Sequence, residues 1–327
     1  MESEQNNSLF SSSERVEMPL VVSMLLLFLT ISVFGLVGFG LIRLLGMLFD
    51  IDIAGLMSGL SDNSTSTDRN FLRTSILINH LTMIVLPGIV FTIFSYRKGW
   101  LSFLNLNKSP QFINLFGGVI LLLVSMPFVQ FLFWVNKNWI PLPSWARTME
   151  ASTADTISNL LTVDASYEFF FNVLIIALIP ALGEELIFRG IIQKEVTKGF
   201  RNSIVGIWVA ALIFSAFHFQ FEGFMPRLVL GALLGYLYYW SNNLWVPILA
   251  HFMNNFLQIL AQFLFQKEIS DMDLDSLEMP PTWQWLFSLT LIFALGYYLQ
   301  QYNYKNSKTF SNPSADTSQS DDTNTTS

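Results

Sequence analysis

The fold is decided by residues 169–190, FFFNVLIIALIPALGEELIFRG. The run from Phe169 to Leu182 is interrupted only by Asn172 and Pro180, as is typical of a membrane-spanning helix. Two carboxylates and a guanidinium follow directly, in the stretch GEELIFRG at 183–190. Each such charge costs about 2.5 to 3.5 kcal/mol at the centre of a bilayer. These groups are therefore expected to face protein or trapped water rather than lipid.

The two glutamates of this stretch are expected to have different tasks. Glu185 and Arg189 are four residues apart, so on a helix they can form an ion pair. This pair is predicted to have a structural role. Glu184 points about 100° away on the same helix and is left to face something else. We expect the chemistry of the protein at Glu184.

The composition identifies a polytopic membrane protein. The chain has 327 residues, of which 52% are hydrophobic and 13% charged, and its mean hydropathy is +0.47. Several apolar runs approach the length of about 20 residues that spans a bilayer. The formal net charge of −7 arises largely in loops and tails and indicates no nucleic-acid partner. Cysteine is absent, which excludes disulfides, thiolate metal sites and cysteine nucleophiles.

The predicted fold is an all-α transmembrane bundle with about eight spans. Judged by apolar length, they cover roughly 19–45, 74–95, 112–134, 168–193, 203–220, 225–240, 244–266 and 283–299. The first run is too long for a cleaved signal peptide and is expected to be a retained anchor. Lysine and arginine are more frequent in the loops on the side of the N-terminus, which predicts a multi-pass cell-membrane protein with both termini in the cytoplasm.

The chain has three histidines. His80 stands near the expected outer start of the second span and is predicted to be interfacial. His218 and His251 lie inside the apolar second half. Four polar residues recur after steps of 4, 3 and 4 along the seventh span: His251, Asn255, Gln258 and Gln262. This spacing makes one polar stripe, which is expected to face the interior of the bundle.

A glutamate, two histidines and an asparagine in an apolar bundle favour hydrolysis. A desolvated glutamate can take a proton from water when a neutral histidine orients that water. A second histidine and an amide can donate hydrogen bonds to a developing oxyanion. Alternatively, Glu184, His218 and His251 could bind a divalent metal such as zinc, with an open position for water. The residue types leave both mechanisms open.

These residues also carry a resemblance. The stretch 183–190 resembles the Glu-Glu-x-x-x-Arg motif of the CPBP family, which includes CAAX-type prenyl-protein endopeptidases and bacteriocin-processing or immunity-related membrane proteases. Residues 214–218 resemble its Phe-x-x-x-His motif, and residues 251–255 its His-x-x-x-Asn motif. The similarity covers about 168–262, whereas in residues 1–165 we recognise no family resemblance.

The resemblance implies a helical intramembrane endopeptidase. Glu184 matches the family's water-activating glutamate, and His218 matches its partner. His251 and Asn255 match positions that bind the oxyanion or a metal. The expected partners are a peptide or protein substrate at the membrane and the lipid bilayer. A prenylated CAAX substrate is not implied, because many bacterial relatives act on unknown substrates.

The expected organisation has five parts: a polar N-terminal tail (1–17), N-terminal membrane helices (18–165), a CPBP-like catalytic core (166–266), an acidic loop with the last membrane helix (267–305), and a disordered polar C-terminal tail (306–327). Two other classes of function compete with a protease. A non-catalytic membrane scaffold or bacteriocin-immunity factor would not need the acid at 184. A proton-coupled transporter would favour internal repeats, and the sequence shows none.

Overall fold

The computed structural model describes residues 18–57, 60, 64–163, 165–265 and 279–311. The expected N-terminal tail at 1–17 and most of the acidic loop lie outside these residues. The last helix continues to Ser311, beyond the boundary expected at residue 305. The remainder of the expected C-terminal tail again falls outside the described part.

The described residues form helices and contain no strand, as predicted for an all-α membrane bundle. Nine of their helical stretches are long: α1 (Leu20–Leu48), α2 (Ser66–Phe103), α3 (Phe112–Trp139), α4 (Ser144–Leu161), α5 (Ser166–Phe200), α6 (Ser203–Phe217), α7 (Phe224–Ser241), α8 (Trp245–Phe265) and α9 (Thr282–Ser311). A short helical turn at Ile53–Met57 lies between α1 and α2.

Each of the eight expected spans coincides with one of these helices. Within the described residues, α1, α2, α3 and α5 are long and apolar enough to cross a membrane, by length and composition. The shorter helix α6 is also apolar. Helix α4 was not expected, because its sequence mixes polar residues with a few apolar ones, of which Ala146 and Leu160 are buried.

Helix α5 is the centre of the bundle. It packs against α1, α2, α6, α7 and α8. Half of its most apolar 18-residue stretch is buried in protein, compared with 11% of the corresponding stretch in α1. Every residue from 183 to 193 is buried. The charged stretch at residues 183–190 therefore lies inside the protein, as its cost in lipid requires.

Two of the long helices contain π-helical segments, at Leu81–Val85 in α2 and at Val173–Leu178 and Leu186–Gln193 in α5. A π segment widens the helix locally and is frequent at functional sites. The segment Leu186–Gln193 begins immediately after Glu185. The segment Leu81–Val85 begins immediately after His80. Three departures from α-helical geometry thus lie close to the expected site or contact it.

Helix α2 begins at Ser66, well before the expected span start at residue 74. Thr65 caps it, forming a reciprocal capping box with Asp68. Arg73, which precedes the expected span start, is instead fully buried within the helix. Its five N–H groups donate to Asn172 Oδ1, Asn70 Oδ1, Glu168 Oε1 and the carbonyls of Leu160 and Thr162. This buried and fully hydrogen-bonded guanidinium joins α2 to the start of α5.

Candidate active site

Glu184 lies near the middle of α5, one residue before the last α-helical position that precedes the π segment. Its residue surface is 9% exposed. One carboxyl oxygen, Oε2, is 3.8 Å from Nε2 of His251. The other, Oε1, is 4.0 Å from Nε2 of His80. The carboxyl group is therefore flanked by two imidazole rings from different helices.

Glu185 forms the ion pair with Arg189 that the spacing predicts, with 2.5 Å between Oε1 and Nη1. The same Oε1 accepts a hydrogen bond from Nδ1 of His251 at 2.8 Å. Both glutamate and arginine are buried. Glu185 therefore holds a ring of the site in place while its charge is neutralised by Arg189.

Arg189 is anchored at two further points. Its Nη2 donates to the carbonyl of Gly231 at 3.0 Å, and its guanidinium lies over the ring of Phe214 at 4.7 Å. A Cβ atom at residue 231 would lie 3.1 Å from Phe214 and 3.2 Å from Ala211. Glycine thus lets α6 and α7 approach closely and leaves the carbonyl of Gly231 accessible to the arginine.

The hydrogen bonds of His251 fix its tautomer. The ion-paired carboxylate of Glu185 can only accept, so Nδ1 of His251 carries the hydrogen. In the neutral ring, Nε2 then presents a lone pair toward Glu184. A nitrogen lone pair and a carboxylate oxygen 3.8 Å apart are too distant for a direct hydrogen bond and suit a bridging water.

His218 directly follows the last residue of α6. Its Nδ1 lies 2.8 Å from the carbonyl of Phe214 and must donate, so its neutral Nε2 is also free to accept. His218 lies within electrostatic range of Glu184 and of His251. Among the described residues, however, no hydrogen bond or ion pair joins His218 to Glu184. The imidazole in direct proximity to Glu184 on this side is that of His251.

Asn255 lies one helical turn after His251, and its amide is engaged on both ends. Its Nδ2 donates to the carbonyl of Ile176 at 3.3 Å, in the π segment Val173–Leu178, and its Oδ1 accepts from Asn254. One amide hydrogen stays available for another acceptor. The expected polar stripe is interrupted at its third member. Gln258 is exposed and its amide donates to the carbonyl of Asn254 on its own helix.

His80 is the residue that the sequence analysis did not place in the site. It was expected at the membrane interface, yet it lies on α2 with its ring directed at Glu184. No motif includes it, and residue 80 is outside the stretch that resembles a family. The available signal was its rarity: an imidazole on an apolar helix is a functional candidate in its own right.

A metal site is not supported by the arrangement of the side chains. In the ranges that the structure describes, no group of three or more His, Cys, Asp or Glu residues is placed to hold a metal ion. The set considered from the sequence, Glu184, His218 and His251, therefore does not fit a catalytic zinc site. A divalent metal enters no step of the chemistry derived below.

Apolar helices that bury two glutamates and an arginine beside three imidazoles define a helical membrane protein with a polar site in its interior. Residues 166–257 match the family model described as "Type II CAAX prenyl endopeptidase Rce1-like". This segment is therefore similar to Rce1-like CAAX prenyl endopeptidases, the family that the three motifs predicted. Every residue that the motifs singled out lies within it, and His80 lies outside.

A relative in Bacillus subtilis (strain 168), the uncharacterized protein YpbD, is 35% identical over 86 residues. This similarity covers 25% of the present chain and 41% of YpbD, so the chain spans about two fifths of that relative. No solved structure matches the chain.

Proposed function

We propose that the protein is an intramembrane endopeptidase that hydrolyses a peptide bond of a membrane-associated protein or peptide. The observation that carries the proposal is the division of labour between two adjacent glutamates. Glu185 is occupied by Arg189 and by His251. Glu184 is also buried, and within 4.0 Å of its carboxyl oxygens the described residues place no lysine or arginine nitrogen, only the flanking histidines. A buried carboxylate beside imidazoles is suited to proton transfer.

Glu184 acts as the base. A water molecule held by the Glu184 carboxyl gives it a proton, and the water oxygen attacks the scissile carbonyl. His218 assists by accepting a hydrogen bond from that water at its free Nε2. The proton on Glu184 then passes to the leaving nitrogen as the carbon–nitrogen bond breaks. Water is consumed, and one new carboxylate and one new amine result.

His251 and Asn255 stabilise the oxyanion of the tetrahedral intermediate. Nδ1 of His251 is bonded to Glu185, so the ring can donate from Nε2 only when it is protonated. Asn255 supplies its remaining amide hydrogen. Such donors are most effective in an enclosed site of low dielectric constant.

The test is hydrolysis by the purified full-length chain in liposomes. The probes are a fluorogenic peptide library anchored by a farnesyl group and the same library anchored by a transmembrane segment, both in ¹⁸O-labelled water. We expect ¹⁸O in new carboxyl termini with wild type and with Asp155→Asn, an exposed carboxylate on α4. Glu184→Gln should release labelled product about 10²- to 10⁴-fold more slowly. Equal product from Glu184→Gln would overturn the proposal, and so would the absence of product from wild type.

The two anchors separate two substrate classes. Cleavage of the farnesylated library alone would indicate a CAAX-type substrate, in line with the family's description. Cleavage of the transmembrane library would indicate a lipid-embedded substrate. A non-catalytic scaffold would give no labelled product from either.

A further inference from the structure

The site contains one imidazole from outside the matched family segment. Nε2 of His80 lies 4.0 Å from Oε1 of Glu184, on the carboxyl oxygen that His251 does not face. The His80 side chain is 28% exposed, and that of Glu184 is 12% exposed. The two rings thus flank the two oxygens of one carboxyl group.

The tautomer of His80 is fixed as it is in the other two histidines. Its Nδ1 lies 3.1 Å from the carbonyl of Ile76, which can only accept. The neutral ring therefore presents the lone pair of Nε2 to the Glu184 carboxylate. Two acceptors 4.0 Å apart are too distant to share a proton, but one water can donate a hydrogen bond to each of them. The geometry suits a single bridging water.

The placement of His80 is built into the packing of α2 on α5. Arg73, on the same helix, is bonded to Glu168 at the start of α5. At the other end, Gly183 lies against the π segment of α2: a Cβ there would be 2.8 Å from Ile84 and 2.9 Å from Val85. The contact regions flank His80 on both sides. These two contacts fix the position of His80 along α2 relative to Glu184.

We propose that His80 is a positioning residue of the active site, which orients Glu184 and its water from the side opposite His251. The inference rests on the proposed function and extends it. The catalytic pocket is then completed by α2, which lies outside the segment that matches the family model. A protein reduced to the matched segment would hold the motifs but lack this third imidazole.

The activity test uses three substitutions and the best-cleaved member of the peptide library. His80→Asn retains an amide near Nδ1 and can still bond the carbonyl of Ile76. His80→Gln instead places its amide near the position of Nε2. We expect His80→Ala and His80→Asn to lower kcat by about 10- to 100-fold with little change in KM. His80→Gln should retain clearly more activity than either.

Two results would overturn the inference. Wild-type kcat in His80→Ala would show that the ring is dispensable. Wild-type kcat in His80→Asn, with loss in His80→Gln, would assign its role to the bond with the Ile76 carbonyl. If wild type itself releases no labelled product, the proposed function fails, and the catalytic part of this inference fails with it.

A second measurement reads the contact without activity. The three histidines allow each ¹⁵N-labelled imidazole signal to be assigned by single substitution. Glu184→Gln should shift the His80 and His251 ring signals, whereas Asp155→Asn should leave both unchanged. An unshifted His80 signal in Glu184→Gln would overturn the proximity on which the inference depends, whatever the outcome of the cleavage assay.

Discussion

The Glu184 carboxyl and Nε2 of His251 lie 3.8 Å apart, while Nδ1 of the same ring is hydrogen-bonded to Glu185. One imidazole thus contacts an ion-paired glutamate on one edge and faces an unpaired one on the other. Glu185 therefore holds the His251 ring in place, while the adjacent Glu184 faces the nitrogen on the other edge of that ring. Through this ring, the ion pair of Glu185 and Arg189 is connected to Glu184, the proposed base.

The ion pair of Glu185 and Arg189 should be strongly coupled. Glu185→Ala leaves a guanidinium that is 1% exposed without its carboxylate, at a cost of about 3 to 5 kcal/mol. Arg189→Ala similarly leaves the buried carboxylate of Glu185 without its cation. The double replacement by leucine should lose less stability than the sum of the two alanine variants. Additive losses in thermal melts of the detergent-solubilised protein would refute this coupling.

Gly183→Ala should reduce both stability and cleavage. The new methyl group would press against Ile84 and Val85 and move Glu184 away from α2. The matched control is Gly40→Ala on α1, where a Cβ meets nothing within 4 Å. That variant should be neutral or stabilised by about 0.5 to 1 kcal/mol. Equal behaviour of the two variants in Tm and in cleavage rate would contradict the close approach.

Arg73→Lys should destabilise the protein although the charge is kept. Lysine has three donors on one nitrogen and cannot reach the five acceptors that surround the planar guanidinium. Arg43→Lys, at an exposed position on α1, is the control and should leave Tm unchanged. A Tm for Arg73→Lys within the error of wild type would show that other contacts hold α2 to the start of α5.

Cleavage should be insensitive to metal chelation. The described residues contain no group of three ligating side chains placed for a metal, so the activity is expected to depend on Glu184 and the imidazoles themselves. The measurement is the rate after treatment with EDTA and with phenanthroline, alongside the zinc content of the protein. Loss of activity that added zinc restores would support the metal-dependent alternative.

Much of the helical framework could be predicted from apolar length, and the pairing of Glu185 with Arg189 followed from helical spacing. The inward orientation of His251 followed from the polarity of its helix face. These features are local, so a single segment of sequence carries them. The family motifs added the order of the site residues along the chain.

The contribution of His80 could not be predicted in this way, because its partner is far away in the sequence and only tertiary packing brings them together. Arg73 was misplaced because a charged residue near a span end reads as part of a loop, whereas its acceptors come from α4 and α5. The π segments leave no mark in hydrophobic periodicity. They change which side chains lie on the same face of α2 and α5 close to the site.

The most direct test compares Glu184→Gln with Glu185→Gln in cleavage rate and in Tm. The account predicts that Glu184→Gln lowers the rate by about 10²- to 10⁴-fold with Tm near that of wild type. Glu185→Gln should lower Tm as well as rate, because it weakens the bonds to Arg189 and His251. Wild-type cleavage by Glu184→Gln, with loss confined to Glu185→Gln, would contradict the assignment of Glu184 as the base.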